Sequence, residues 1–382
     1  MPLFIGLMSG TSLDGIDAAL VCIEAPDHTP HLLQTQAVAM PDALHQQFLA
    51  LCQAQRVSFA ELAHAEDAFC RLQAQAVESL LIKSGTSREA IAAIGSHGQT
   101  IEHAPHGHAT QGEGVKAPAY TWQLDNPSLL AELTGCPVVA DFRRRDLAAA
   151  GQAAPLAPAF HRAVFRHASE WQLVLNLGGF ANLTLLPPDD QHEVIGFDTG
   201  PANVLLDAWY ARHLGGRFDA DGQWAASGHV DERLLERMLN EPFFHHPPPR
   251  STGRELFHLA WLERHLSGSE APQDVQATLA ELTATSIALG IEMAREQFDA
   301  PPLKALIPCG GGAHNADLLA RLAQHLPETP LVPSDDWGWP ADWLEAGAFA
   351  WLAWRRLEGL PGNLPSVTGA KGPRVLGGVY AP

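Results

Sequence analysis

Positive charge is scarce in this chain. Its 24 Lys and Arg face 43 Asp and Glu, a formal net charge of -19. That balance argues against a nucleic-acid backbone or an anionic membrane surface as partner. It leaves open a small anionic ligand, which glycine-rich loops can hold whatever the net charge. Cysteine is sparse: Cys22, Cys52, Cys70, Cys136 and Cys309 are odd in number and fall in no CxxC or Cys/His zinc spacing. Reduced thiols in a cytoplasmic protein are the expectation. No apolar run is long enough to span a bilayer, and the opening MPLFIGLMSGTS lacks the basic region and long apolar stretch of a signal peptide. Histidine is plentiful, but His103, His106, His108, His245 and His246 lie in Pro/Gly-rich loops and read as solvated, not as metal ligands.

The 382 residues, 46% hydrophobic and 18% charged, suffice for two domains with full cores. Apolar runs alternate with helical patterns throughout. Leu3 to Met8 and Ile16 to Ile23 read as two strands around Ser9-Gly10-Thr11-Ser12-Leu13-Asp14-Gly15. Such a turn exposes successive N–H groups and three hydroxyls, the makings of an anion nest; an ordinary hairpin turn is the plainer alternative. Residues 41–83 read as two helices, with apolar spacing at Leu44, Phe48 and Leu51 and again at Leu62, Phe69 and Leu72. Ile91 to Ile94 forms a short strand that ends in Gly95-Ser96-His97-Gly98-Gln99-Thr100. Val138 to Asp141 is another strand, followed by Arg143-Arg144-Arg145, either a solvated turn or an anion clamp.

The second half repeats this organisation in different letters. Leu173 to Leu177, Gly178-Gly179, then Phe180 to Leu186 is again strand, glycine turn, strand. The period at Val275, Leu279, Leu282, Ser286, Leu289 and Met293 predicts a long core-facing helix. Leu303 to Pro308 is a strand that runs into Cys309-Gly310-Gly311-Gly312 and a helix from Ala316, an arrangement that lets a ligand approach backbone N–H groups. Asp219, Asp221 and Gly222 look like the start of a calcium loop, but the remaining ligands do not follow. In Gly196-Phe197-Asp198-Thr199-Gly200-Pro201 one carboxylate sits between glycines at a strand end, with Pro201 suited to the first turn of a helix. Asp198 taken alone reads as a helix cap or solvated turn. As one of several glycine turns after strands in a two-lobed chain, it reads as a residue at a ligand site.

Two lobes with glycine hairpins, a strand-GGG-helix unit and a strand-end aspartate resemble the actin/hexokinase/Hsp70-like ATPase superfamily. The letters go further. GLMSGTSLDGID (6–17), GSHGQT (95–100), VADFRRRD (139–146), NLGGFAN (176–182), GFDTGPAN (196–203), CGGGAHN (309–315) and VTGAKGPR (367–374) resemble the anhydro-N-acetylmuramic acid kinases, in the same order and over essentially the whole chain. The resemblance implies an α/β fold of two RNase H-like lobes with a nucleotide cleft between them. The expected division is 1–137 with 358–382 for the first lobe and 138–357 for the second. It implies that Ser9, Gly10, Thr11, Ser12, Leu13, Asp14, Gly15 and Ile16 surround the ATP phosphates. Gly178 and Gly179 would form a second phosphate hairpin, and Gly310 and Gly311 would approach the nucleoside. Asp198 would be the catalytic base, with His97, Gln99, Arg143 and Glu345 on the sugar side. Mg2+ is the expected companion of ATP, with Asp14 reaching it through water. The partners implied are an anhydro amino sugar and ATP, in the cytoplasm, as a homodimer. Two rivals stay open: another sugar kinase of the superfamily, in which Asp198 deprotonates a hydroxyl, and a non-enzymatic nucleotide-dependent module. The chain departs from the family's GGQGAPL segment, with Ala150 and Ala153 at two glycine positions, and its loop 105–118 is longer than the family pattern.

Overall fold

The computed structural model describes residues 2–10, 12–25, 28–54, 56–107 and 117–382. Thr11 and most of the 105–118 loop therefore lie outside the described residues. The chain divides into two compact units. The first runs to Val164 and resumes at Trp343–Pro382; the second is Phe165–Asp342.

The first unit is built on a sheet that contains β1 (Leu3–Met8), β2 (Gly15–Cys22), β3 (His31–Ala39), β4 (Ile91–Ser96) and β7 (Val138–Ala140), while β5 (Gln99–Ala104) and β6 (Tyr120–Leu124) pair as a separate hairpin. β1, β2 and β3 form an antiparallel meander, and β4 joins β1 in parallel. β7 continues the parallel edge, and the terminal strand Gly378–Tyr380 closes it antiparallel. The helix Phe59–Ser84 covers one face. Ser58 and Glu61 form a reciprocal capping box at its start, and Gly85 ends it in the left-handed conformation at φ 65°. Each such cap is worth about 1 kcal/mol.

On the other face lies the helix Leu344–Leu357, which buries Phe349, Trp351, Leu352 and Trp354. It comes close because Gly6 and Gly95 have no side chain: a Cβ at either would overlap the Ala346 or Phe349 carbonyl oxygen. Each large apolar side chain so buried contributes about 2 kcal/mol, so pushing this helix outward is costly. These contacts place the helix in the first unit, where the sequence pattern put the boundary after it. Likewise β7 pairs with β4, so the first unit extends past 137 to Val164.

The second unit repeats the strand plan. β8 (Gln172–Leu177), β9 (Phe180–Leu186) and β10 (Ile195–Pro201) are an antiparallel meander, and β11 (Leu306–Cys309) joins β8 in parallel. The order β10-β9-β8-β11 thus matches β3-β2-β1-β4 of the first unit. Periodicity correctly anticipated the long helix Pro272–Gln297, which starts with Pro272 in its first turn and packs against β10. At Gly290 its backbone approaches Thr199, where an added Cβ would lie 2.8 Å from the Thr199 methyl. That close approach holds the strand that carries Asp198.

Candidate functional site

Asp198 lies within β10, not at its end. The pairing with β9 shifts between Asp198, opposite Asn182, and Gly200, opposite Ala181, so Thr199 is an extra residue in the ladder. Such a bulge re-aims a side chain without ending the strand. Pro201 is still paired, with Phe180, and the helix Asn203–Leu214 begins two residues later. The expectation of Pro201 in the first helical turn is corrected here. The N–H groups of Ala202 and Val204 both donate to the Gly179 carbonyl at 3.0 Å, which holds the chain extended until the helix starts.

The Asp198 carboxylate is braced from a segment that composition marks only as a Pro/His-rich loop. Ser251 Oγ donates to Oδ2 at 3.1 Å and the Thr252 N–H donates to the same oxygen at 2.9 Å. Among the described residues no hydrogen bond reaches Oδ1. Arg250 secures the backbone beneath. Its Nε donates to the Asp198 carbonyl at 3.0 Å, and Nη1 donates to the carbonyls of Phe243 and Phe244 at 3.1 and 3.0 Å. The Asp198 N–H in turn donates to the Arg250 carbonyl at 2.9 Å, and the guanidinium lies 4.8 Å from the centre of the Phe243 ring. Burial raises the Asp198 carboxyl above its ordinary pKa; the Thr252 N–H, the Ser251 hydroxyl and the Arg250 charge pull the other way. A carboxylate with one anchored oxygen, one uncommitted oxygen and an elevated proton affinity suits a general base.

In the first unit, β4 and β7 end beside one another and deliver His97 and Arg143. Arg143 donates from Nε at 3.1 Å and Nη2 at 2.9 Å to His97 Nε2, and from Nη1 at 3.1 Å to the Ala153 carbonyl. A guanidinium only donates, so Nε2 must accept, which puts the imidazole proton on Nδ1. Burial, then the Arg143 charge, holds His97 well below its ordinary pKa, so the ring is neutral. Burial also lowers Arg143 to about 10, opposed by the Glu345 carboxylate. Glu345 keeps solvent access along its side chain, yet the crowding of protein around it raises its carboxyl, with Arg143 as the countering charge. His97, Arg143 and Glu345 are therefore one electrostatic group. His97 also lines a cavity of about 250 Å³ with Trp122, Asp125, Asp141 and Arg144. The three arginines diverge: Arg144 sits 5.2 Å over the Trp122 ring and pairs with Asp141 at 3.6 Å.

Gln99 behaves differently from the other three sugar-side candidates. It is 1% exposed, and its Oε1 accepts from Ser9 Oγ at 2.6 Å while Nε2 donates to the Gly10 carbonyl at 3.3 Å. It braces the turn between β1 and β2. In that turn Leu13 adopts φ 59° with its side chain buried, Ser12 and Asp14 are exposed, and the Ile16 side chain belongs to the core. Only the backbone of Leu13 and Ile16 is available to a ligand.

The glycines separate into two kinds. A Cβ on Gly15 would overlap the Val38 carbonyl oxygen, one on Gly310 would overlap Asn176 Oδ1, and one on Gly312 would sit 2.6 Å from the Leu177 Cβ. Packing alone explains those three. At Gly10, Gly178 and Gly179 the nearest protein atom lies 3.6, 3.6 and 3.9 Å from such a Cβ, and at Gly311 nothing lies within 4 Å. Among the described residues nothing demands glycine at these four, and each leaves backbone open to close approach.

The brace at Arg250, Ser251 and Thr252 is the part of the site that sequence reasoning missed. The tripeptide lies more than fifty residues from Asp198 and carries no periodicity. A polar Arg-Ser-Thr after three prolines was the available signal.

Comparison with known proteins gives consistent results. The family model described as anhydro-N-acetylmuramic acid kinase matches residues 2–382. A protein of Chromohalobacter salexigens named anhydro-N-acetylmuramic acid kinase is 64% identical over 382 residues, covering all of both chains. One of the same name from Pseudomonas syringae pv. syringae is 49% identical over 379 residues, covering 99% of this chain and 98% of that one. Another, from Xylella fastidiosa, is 50% identical over 382 residues, covering 99% and 96%.

Proposed function

Because the chain belongs to the anhydro-N-acetylmuramic acid kinase family, we propose that Asp198 is the base that activates water in its reaction. The enzyme is an ATP-dependent kinase that opens 1,6-anhydro-N-acetylmuramic acid and phosphorylates O6, giving N-acetylmuramic acid 6-phosphate for peptidoglycan recycling. Water adds to C1 and gives its proton to Asp198. The C1–O6 bond breaks, O6 takes the γ-phosphoryl group, and ADP leaves. The observation that carries the assignment is the geometry at Asp198: Oδ2 anchored by Ser251 and Thr252, Oδ1 open, and a carboxyl raised by burial.

The remaining roles extend this reading. We assign the ATP phosphates to the turn Ser9–Ile16 and to Gly178-Gly179, and the nucleoside to Gly310-Gly311, with Gly311 the open member of that pair. Magnesium, when bound with ATP, would supply charge neutralisation at the phosphates. Among the described residues no three His, Cys, Asp or Glu gather as a cage for it. Exposed Asp14 is the residue we assign to it, through water. Arg143, oriented by neutral His97 and balanced by Glu345, is assigned to the sugar. Gln99 supports the phosphate turn instead. A cytoplasmic setting is supported by five unpaired cysteines; the homodimer is a proposal for sedimentation analysis.

Turnover in H2(18)O tests the central step. Label on the C1 hydroxyl of the product is expected. Label absent from C1, or turnover of ordinary hexoses without turnover of the anhydro sugar, would favour the reading in which Asp198 deprotonates a sugar hydroxyl directly.

A further inference from the structure

Arg143 is useful to a ligand only if its long side chain is held, and one of its two anchors is an unusual peptide. The Ala153 carbonyl accepts from Arg143 Nη1. Ala153 is fully buried at φ 60°, and Ala150 in the same loop lies at φ 66°. Left-handed backbone costs a non-glycine residue about 1 kcal/mol or more, so this loop needs restraint. The restraint is Asp146, which is 0% exposed. Its Oδ2 accepts from the Ala153 N–H at 2.8 Å, so the peptide on one side of Ala153 is held by Asp146 and that on the other meets Arg143. Gly151 passes so near that a Cβ there would overlap Oδ2.

The other carboxylate oxygen is held by the far end of the chain. Asn363 Nδ2 donates to Oδ1 at 2.6 Å and Thr368 Oγ1 at 2.8 Å, from residues 4% and 1% exposed. Backbone bonds reinforce the join. The Gln152 N–H donates to the Thr368 carbonyl at 2.7 Å and the Lys371 N–H to the Ala149 carbonyl at 2.8 Å, while the Arg374 N–H donates to Asn363 Oδ1 at 2.6 Å. A buried carboxylate met by three neutral donors tolerates little loss, because any unmet partner pays its full desolvation cost.

We propose that the C-terminal segment Asn363–Arg374 is a clasp that acts through Asp146 and Ala153 to position Arg143 for the sugar. Asp146, Asn363 and Thr368 are then positioning residues for substrate specificity, beyond the direct contacts. The proposal rests on the assignment of Arg143 to the sugar, so its test separates the two. Michaelis constants for the anhydro sugar and for ATP are measured in Asp146→Asn and Thr368→Val, each alone and with Arg143→Ala, with the folded fraction checked by circular dichroism. Asp146→Asn is expected to raise the sugar KM about tenfold and Thr368→Val about threefold, with the ATP KM changed less than about twofold. On the Arg143→Ala background both increments should vanish. The clasp is overturned by equal increments on both backgrounds, or by stability that falls while the sugar KM stays put. If Asp146→Asn does not fold, Thr368→Val decides by the same criteria. An unchanged sugar KM in Arg143→Ala alone would show instead that Arg143 does not serve the sugar, and the proposal would fall with that assignment.

Discussion

Asp146, in a short helix of the first unit, and Asp198, within β10 of the second, differ in one respect that decides what each can do. Asp146 has both oxygens committed, to Ala153, Asn363 and Thr368. Asp198 has one oxygen committed, to Ser251 and Thr252, and one left open. The first is a fixed point of the structure, fully buried with a donor on each oxygen. The second is held firmly enough to be aimed and remains available to a proton. Donor count, not residue type or nearness to glycine, distinguishes an anchoring carboxylate from a reactive one.

The strongest test of this contrast is Asp198→Asn. The amide keeps the shape and can no longer accept a proton, so turnover should fall about 10³-fold or more. Binding of ATP, measured by calorimetry, should stay within about twofold of the wild type. Retention of substantial phosphoryl transfer would remove Asp198 from the role of base.

Ser251→Ala sharpens the same point through pH. The Ser251 hydroxyl favours the charged form of a carboxyl that burial raises. Deleting it raises the pKa further, so the acid limb of the kcat/KM profile should move to higher pH, with the plateau reduced less than tenfold by loss of roughly one hydrogen bond. A limb that moved to lower pH, or stayed fixed, would mean that another group sets it.

Much of the scaffold was legible because its signals are local. The aliphatic runs at Leu3–Met8 and Leu173–Leu177, each followed by a glycine turn, mark the matching meanders of both units, and the period from Val275 to Met293 marks the long helix. Asp198, His97 and Arg143 were reachable as candidates because each lies in or within three residues of a strand: Asp198 inside β10, His97 directly after β4 and Arg143 three residues after β7. The rest depends on contacts distant in sequence. Nothing local distinguishes Gln99, which braces the Ser9 turn, from His97, which meets Arg143. The β5–β6 hairpin and the brace at 250–252 sit in polar, Pro- or His-rich stretches where pattern is silent. Glu345 was placeable, but the boundary beside it was not, because the fit of its helix onto Gly6 and Gly95 is visible only in three dimensions.

Asp207 extends the comparison to a carboxylate that no hydrogen bond reaches among the described residues. Burial, and then the charge of Asp219, raises its pKa to about 7. A folded-state pKa above the unfolded value near 4 means that stability is fully present below about pH 4 and is lost as pH rises through about 7. Asp207→Asn removes that loss. The variant should be more stable than wild type by on the order of 1–2 kcal/mol at pH 8, with the difference fading towards pH 4, as read by urea unfolding at the two pH values. A constant difference across pH would assign the effect to packing.

The smallest effect concerns the loop that Asp146 restrains. Ala150, exposed at φ 66°, carries a methyl where the left-handed backbone favours none. Glycine there relieves about 1 kcal/mol of strain and loses about half of that to the greater freedom of the unfolded chain, so Ala150→Gly should stabilise by about 0.5 kcal/mol. Ala153 has nearly the same φ, 60°, but is fully buried. Its methyl fills space beside the donors of Asp146, so Ala153→Gly forfeits about 0.8 kcal/mol of apolar burial as well and should be neutral or slightly destabilising. Parallel urea titrations of the two variants measure the difference directly. Equal gains would mean that the Ala153 methyl packs against nothing. A loss at Ala150 would mean that the left-handed turn is held there without strain, and that Asp146 restrains a loop that does not resist it.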